Sequence, residues 1–383
     1  MSEKGDKTAS MIEKGSEYLR WYVTYPTIKY DFRASGISNF TWNPSLGKLN
    51  LSENFFQGNP EAKEKVAERY KVAPQNVFIM PEGTSGVNAR AIKCLTSRKG
   101  KREAVVEYPV YEPLLRQTQS YFPNVKRVNR RRQNGYKIKR SDLEKVVSKK
   151  TALLVITNPH APTAVNSSKD ELEEIGELAE KYEFYVICDE IYAEFDRSKI
   201  PTMFSVNPKW GITTTSFTKA YGLGGLKAGI ALASGELVEK MYSNVLSTVG
   251  GGSNLVELAL IDLLTNGREV MERHKQKWLG IREKTEKWLK DAEGITYTPN
   301  ECGVVFWLQL QKIRDTHRWT NSYTIPKMEM ATVPGAFFLY KNDYEIVKSN
   351  AVRLGVGNIR AGELNEALSV LEEAIAEGAR LNF

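Results

Sequence analysis

The chain has 383 residues, 41% hydrophobic and 26% charged, which suffices for about two domains with real cores and excludes whole-chain disorder or a fibrous repeat. No apolar stretch approaches the roughly 20 residues of a membrane helix, and the polar start MSEKGDKTASMIEKGSEYLR does not read as a signal peptide, so a cytoplasmic protein is expected. The net charge of +8, from 54 basic against 46 acidic residues, by itself allows nucleic acid, an anionic cofactor or no charged partner.

Residues 1–45 carry Trp21, Tyr22, Tyr25, Tyr30, Phe32 and Trp42 without a clean period; this segment is expected to pack on a second domain or a partner subunit. Residues 46–270 read as a large domain. Between about 75 and 235, short apolar runs alternate with helical patterns: Val77 to Met80, Ala104 to Glu107, Ala152 to Ile156, Phe184 to Cys188, Ile212 to Thr215 and Ala228 to Ala233. The helical candidates are Gly86 to Leu95, Ser141 to Val147 and Ser168 to Tyr182. The last opens on Ser168, places Glu171 three residues later and sets Leu172, Ile175 and Leu178 on one face, the pattern of a capped amphipathic helix. This alternation predicts an α/β fold with a mainly parallel sheet flanked by helices, whose ligands bind at the carboxyl ends of the strands.

A basic stretch, Lys126, Arg127, Arg130, Arg131, Arg132, Lys137, Lys139 and Arg140, is broken by the turn signal Asn134-Gly135 and predicts a solvated hairpin or loop. It lacks the interleaved stacking platforms that nucleic acid would need. The pattern is long-helical from Leu255 to Leu289. Strands are then expected at Cys302 to Leu310 and at Val352-Arg353-Leu354, and a closing helix at Leu364 to Leu381, giving a smaller α+β domain over 271–383. Cys94, Cys188 and Cys302 are too widely spaced for a disulfide framework and read as reduced packing residues, while His160, His274 and His317 include no i, i+4 pair that would suggest a metal site.

Four segments at predicted strand ends carry chemistry. Ser216 to Gly229 supplies hydroxyls, Lys219 and glycines that let backbone approach an anion. In Val186 to Tyr192, Asp189 ends a buried apolar strand, where a carboxylate needs a cation or hydrogen-bond donors. Thr157 to Thr163 is a proline-rich loop after a strand, and Pro81 to Gly86 joins a strand to a helix whose first amides suit a phosphate.

In order and spacing these segments resemble the fold-type I pyridoxal-phosphate enzymes, specifically the class I/II aminotransferases, from about Asn50 to Arg353. The resemblance implies an aspartate-aminotransferase-like fold and pyridoxal 5'-phosphate as cofactor. It implies a phosphate site at Gly83, Thr84 and Ser85, a stacking ring at Tyr111, a loop contact at Asn158 and a further phosphate contact at Ser216. Lys219 becomes the Schiff-base lysine and proton carrier, Asp189 the partner of the pyridine nitrogen, Tyr192 a donor to the phenolic oxygen, and Arg353 the clamp on the substrate carboxylate.

The chain departs from the family pattern in three places. Ala161 and Ala164 replace an asparagine and a glycine of the proline loop, Lys227 stands where an arginine usually meets the phosphate, and Asn54-Phe55-Phe56-Gln57-Gly58 has no tyrosine. The implied activity is amino transfer between an amino acid and a 2-oxo acid in a homodimer, without nucleic acid or membrane partners. A β-lyase on the same scaffold and a non-catalytic relative remain as alternatives. For the substrate side chain, Arg33 or Lys29 could supply a second cation, although a solvated charge is the plainer reading of each; Trp42, Phe40 and Tyr30 could instead build an aromatic pocket.

Overall fold

The computed structural model describes residues 15–38, 41–47, 52–341 and 345–383. In chain order the described strands are β1 (Tyr30–Phe32), β2 (Val77–Met80), β3 (Glu103–Tyr108), β4 (Asn124–Asn129), β5 (Thr151–Thr157), β6 (Tyr185–Asp189), β7 (Gly211–Ser216), β8 (Gly229–Leu232), β9 (Ile295–Thr298), β10 (Val305–Leu310), β11 (Met330–Pro334) and β12 (Ala351–Gly355). Seven of them form one sheet in the order β2-β8-β7-β6-β5-β3-β4. Its centre is the run TALLVIT of β5, buried at every position, because helices cover both faces and no side need be polar.

Within this sheet β3, β4, β5, β6 and β7 are mutually parallel, and β8 alone runs against its neighbours β2 and β7. The carboxyl ends of β2, β3, β5, β6 and β7 therefore share one edge with the start of β8. All four chemistry-bearing segments emerge there, as the sequence pattern predicts. The helix after β5, Lys169–Tyr182, has the expected capping box: Ser168 Oγ accepts from the Glu171 amide at 3.2 Å and Glu171 Oε2 from the Ser168 amide at 2.6 Å, while Leu172, Ile175 and Leu178 are buried.

The basic stretch is a solvated loop only in its second half, where Arg131, Arg132 and Lys139 are exposed around the turn at Asn134-Gly135. It begins with β4, an edge strand that turns only Val125 and Val128 inward, too weak an apolar signal to show through NVKRVN. The charges of its first half are matched within the molecule. Arg130 is fully buried against Glu107 at 2.6 Å, Lys126 pairs with Glu103 at 2.8 Å, and Arg127 donates to the carbonyls of Glu107 and Tyr340. The long helical region is two helices, Asn254–Thr265 and Arg268–Asp291, parted at Asn266-Gly267.

The second sheet has the order β1-β11-β12-β10-β9, with β1 parallel to β11 and the other pairs antiparallel. Contrary to expectation, the N-terminal segment contains regular structure: β1 and the helix Glu17–Thr24, capped by Ser16. This helix is docked on the large sheet's layer, where the buried Glu112 carboxylate accepts from the amides of Glu17 (3.0 Å) and Tyr18 (2.9 Å). Residues 33–38 then cross to the edge of the seven-stranded sheet, with the Ile37 amide donating to the Lys219 carbonyl at 2.8 Å. A β-carbon on Gly36 would lie 2.6 Å from Lys219 Cα, so only glycine permits this approach.

Candidate active site

A cavity of about 570 Å³ opens where the strand ends meet the N-terminal segment, within the range of small-ligand sites. Of the predicted residues, Gly83, Thr84, Ser85, Tyr111, Asp189, Tyr192, Lys219 and Lys227 line it. Each is placed by a strand end. β2 leads into the helix Gly83–Cys94, which has no side-chain cap at its start, and the Gly83 amide donates to the Lys227 carbonyl at 2.7 Å. β6 ends at Asp189, and β7 leads into the short helix Thr218–Tyr221 that bears Lys219.

The charges on this wall are tuned by burial. The Lys219 ammonium is pushed down to about 8, first by desolvation and then by the nearby Arg353 and Lys227 cations, with Asp189 opposing. Burial pushes the Asp189 carboxyl up to about 6, against hydrogen bonds from Asn88 Nδ2 (2.8 Å) and the Ile191 amide (3.2 Å). Thr214 Oγ1 donates to Asn88 Oδ1 at 2.6 Å, so the amide orientation, and with it the Asp189 carboxylate, is fixed from below. Tyr192 is held up by burial while hydrogen-bonded to Ser35.

Three predicted residues do not line the cavity. Asn158 is fully buried and accepts from the Ser167 amide at 2.8 Å; Thr157, Pro159 and Ala161 form the wall there. Ser216 is likewise buried and donates to Thr218 Oγ1 at 2.9 Å, so the hydroxyl on the wall belongs to Thr218. Arg353, 1% exposed in the middle of β12, is covered by the chain itself: its Nη2 donates to Tyr18 Oη (2.9 Å) and to the Arg33 carbonyl (2.8 Å). A guanidinium buried in a sheet needs acceptors, and these two supply them.

Sequence reasoning missed Tyr18, Tyr22 and Ser35 to Ser38 on the wall, and Asn88 behind Asp189. The i, i+4 spacing of Tyr18 and Tyr22 behind the Ser16 cap was the available signal for the first two. Lys29 is a surface charge paired with Glu366, as expected, whereas Arg33 is 2% exposed and lies on the cavity wall. Tyr30 and Trp42 pack in the core away from this wall, and Phe40 lies outside the described residues.

The unspent polar groups test whether pyridoxal phosphate fits. Among the described residues, Thr84 Oγ1 and Asn158 Nδ2 are buried without a partner, and a helix start without a side-chain cap faces Lys227 across Gly83. An anion at the helix start would take the Thr84 hydroxyl and the amides that follow Gly83, and a cationic ring nitrogen would relieve the buried Asp189. The donor set fits the cofactor.

The aminotransferase class I and II family model matches residues 50–371. The chain belongs to this family. Such enzymes depend on pyridoxal phosphate, and this chain is therefore a pyridoxal-phosphate-dependent aminotransferase, an enzyme of the transferase class. Among its relatives are an aspartate aminotransferase of Pyrococcus horikoshii, 23% identical over 83% of this chain and 81% of that protein, and an aromatic-amino-acid aminotransferase of Thermococcus litoralis, 25% identical over 78% and 76%. In fold it is similar to the crystal structure of an aminotransferase from Streptococcus suis, with a TM-score of 0.82 and 20% identity over 94% of this chain and 97% of the other. The aspartate-aminotransferase-like architecture expected from the sequence is the one observed.

Proposed function

We propose that amino transfer between an amino acid and a 2-oxo acid is carried by Lys219, Asp189 and Tyr192, with Arg353 receiving the substrate carboxylate. The observation that carries this reading is a desolvated amine, titrating near 8, facing a buried carboxylate in one cavity. When bound, the cofactor supplies a carbonyl carbon for the amino group and a ring that withdraws electrons from the substrate Cα. With the cofactor bound, Lys219 Nζ would take the proton from substrate Cα and deliver it to the cofactor's carbonyl carbon within the same half of the exchange, and the reverse transfer would complete the second half. Thr84, Ser85 and Lys227 hold the phosphate, and Thr218 joins them in place of Ser216. Tyr192 would hold the phenolic oxygen and Tyr111 would pack on the ring, while the buried Asn158 braces the wall behind Pro159 by accepting from the Ser167 amide. Ala161 brings no donor to this oxygen, so Tyr192 carries more of its hydrogen bonding.

Borohydride reduction followed by peptide mapping tests the assignment. The cofactor-derived mass should sit on Lys219; its recovery on Lys227 or on any other lysine would sink the reading.

We also propose a homodimer. Phe56, Leu246, Val249 and Leu255 are large exposed apolar side chains, and the loop carrying Gly252 packs beside Met80 and Pro81, next to the helix start at Gly83. Light scattering at micromolar concentration should give twice the chain mass, and a fully active monomer would refute it. The domains are drawn at 46–270 and 271–383, a division supported by one sheet spanning β2 to β8 and the other β9 to β12 with β1 added. No helix among the described residues is long and apolar enough to cross a membrane. A cytoplasmic enzyme is proposed on the three buried, unpaired cysteines.

A further inference from the structure

One guanidinium, Arg33, stands on the N-terminal wall of the cavity and a second, Arg353, is buried behind Tyr18, and the chain treats them differently. Arg33 lies on the wall, but its charge is already matched: Nε donates to Asp31 Oδ1 at 2.8 Å and Nη2 to Asp31 Oδ2 at 3.1 Å, a fork on a carboxylate. Its Nη1 donates to the Tyr22 carbonyl at 2.9 Å, and its Cζ sits 4.6 Å from the centre of the Tyr22 ring. Asn358, also on the wall, donates to Asp31 Oδ2 at 3.1 Å and fixes the carboxylate from the other side. Arg353, by contrast, has only neutral acceptors among the described residues, the Tyr18 hydroxyl and the Arg33 carbonyl, and its Nε has no partner.

We propose that Asp31 is a specificity-determining residue: by neutralising Arg33, the guanidinium on the wall, it leaves Arg353, buried behind Tyr18, as the one guanidinium there without a carboxylate partner, and so selects amino acids with a single carboxylate and an apolar or aromatic side chain. This rests on the aminotransferase reading of the site. The rest of the wall agrees in chemistry. Tyr18, Leu19 and Tyr22 present one face of the helix Glu17–Thr24 to the cavity, and Tyr18 meets Tyr111 edge-on at 6.0 Å. A second substrate carboxylate directed at Arg33 would meet the Asp31 carboxylate as well, and the like charges would repel. The Asp31–Arg33 pair thus does two things. It denies a second anion its cation, and it braces the Tyr22 ring that an apolar side chain would touch.

The remaining charges on the wall do not alter this count on the side-chain end. Glu82 is paired with Arg90, whose Nε donates to it at 2.7 Å; Lys227 adjoins Gly83 on the phosphate side; Lys219 and Asp189 belong to the reaction centre.

The test compares phenylalanine with aspartate as amino donors to the holoenzyme, and measures glutarate and 3-phenylpropanoate binding by calorimetry. The wild-type kcat/KM should favour phenylalanine by roughly 100-fold or more, the scale expected where one partner brings an unpaired charge. Asp31→Asn keeps the side-chain size and an acceptor for Arg33 but removes the charge. It should tighten glutarate binding roughly tenfold and raise kcat/KM for aspartate by a similar factor, with 3-phenylpropanoate changed less than about twofold.

Wild-type protein that uses aspartate as well as phenylalanine overturns the proposal without any variant and leaves the aminotransferase reading standing. So does an Asp31→Asn protein that turns over phenylalanine yet binds glutarate no better than wild type. If Asp31→Asn does not fold, the wild-type ratio decides alone. Failure of every amino acid to transfer its amino group overturns both the reaction and this assignment.

Discussion

Replacing Lys219 by alanine should lower turnover by at least about 10,000-fold, the upper end of what one positioned proton carrier supplies, while leaving the fold in place. The backbone there does not depend on the side chain, since the contact with the N-terminal segment runs through the Lys219 carbonyl and the Ile37 amide. The side chain itself ends among charges. Burial, Arg353 and Lys227 hold the ammonium near 8, so the neutral amine that can accept a proton grows in as pH rises through that value. Because the folded value lies below the ordinary 10.5, the buried cation opposes folding as pH falls through 8. Lys219→Ala should therefore melt no lower than wild type at pH 7 in the absence of cofactor. Lys219→Arg separates charge from chemistry. It keeps a cation beside Asp189, yet a guanidinium stays protonated and cannot take the Cα proton, so it should be as inactive as alanine. Steady-state rates with the best amino donor, beside circular-dichroism melting, decide the matter; more than about one per cent residual turnover in a folded Lys219→Ala protein, against the 10,000-fold expected, would remove Lys219 from the chemistry.

What the sequence shows of this molecule follows from how local each signal is. β5 and β6 are continuous apolar runs bounded by turn residues, and the helix between them announces itself through Ser168 and Glu171. Once those strands are parallel, Asp189, Lys219 and Gly83 must share an edge, so the reaction centre is legible from topology alone. The substrate side of the cavity is not. Asp31 sits in the middle of a three-residue strand and Arg33 just past its end, and nothing local says that the two meet in a fork. Tyr18 gains its meaning from Arg353, more than 300 residues away, through one hydrogen bond. The crossing at Gly36 depends on Lys219 Cα and on Gly357, both supplied by other parts of the chain. β4 is hidden for a different reason. An edge strand needs few apolar residues, and the charges that mask it are matched by Glu103 and Glu107 on β3.

Asp189→Asn should slow turnover by roughly 100- to 1,000-fold, the usual cost of removing one preorganised charge from a reaction centre. The asparagine retains the shape and can still accept from Asn88 Nδ2 and the Ile191 amide, so what it removes is the negative charge that a protonated ring nitrogen would face. The pH dependence of stability gives an independent reading. Without cofactor the folded carboxyl titrates near 6 against an ordinary 3.8, because burial disfavours its charge. A raised value means that the stability contribution is complete below 3.8, where both states are protonated, and is lost as pH rises through 6. The loss amounts to on the order of 3 kcal/mol, at about 1.4 kcal/mol per pKa unit. Cofactor-free Asp189→Asn, which has no such charge to bury, should thus be more stable than wild type at pH 7.5 and should converge with it below about pH 4. Adding pyridoxal phosphate should reverse the order at pH 7.5, because a cationic nitrogen beside Asp189 favours the carboxylate and gains nothing from a neutral amide. Urea titrations of both proteins across this pH range, with and without cofactor, would show the crossing. A variant that gains as much stability from the cofactor as wild type does would mean that Asp189 does not meet the ring nitrogen.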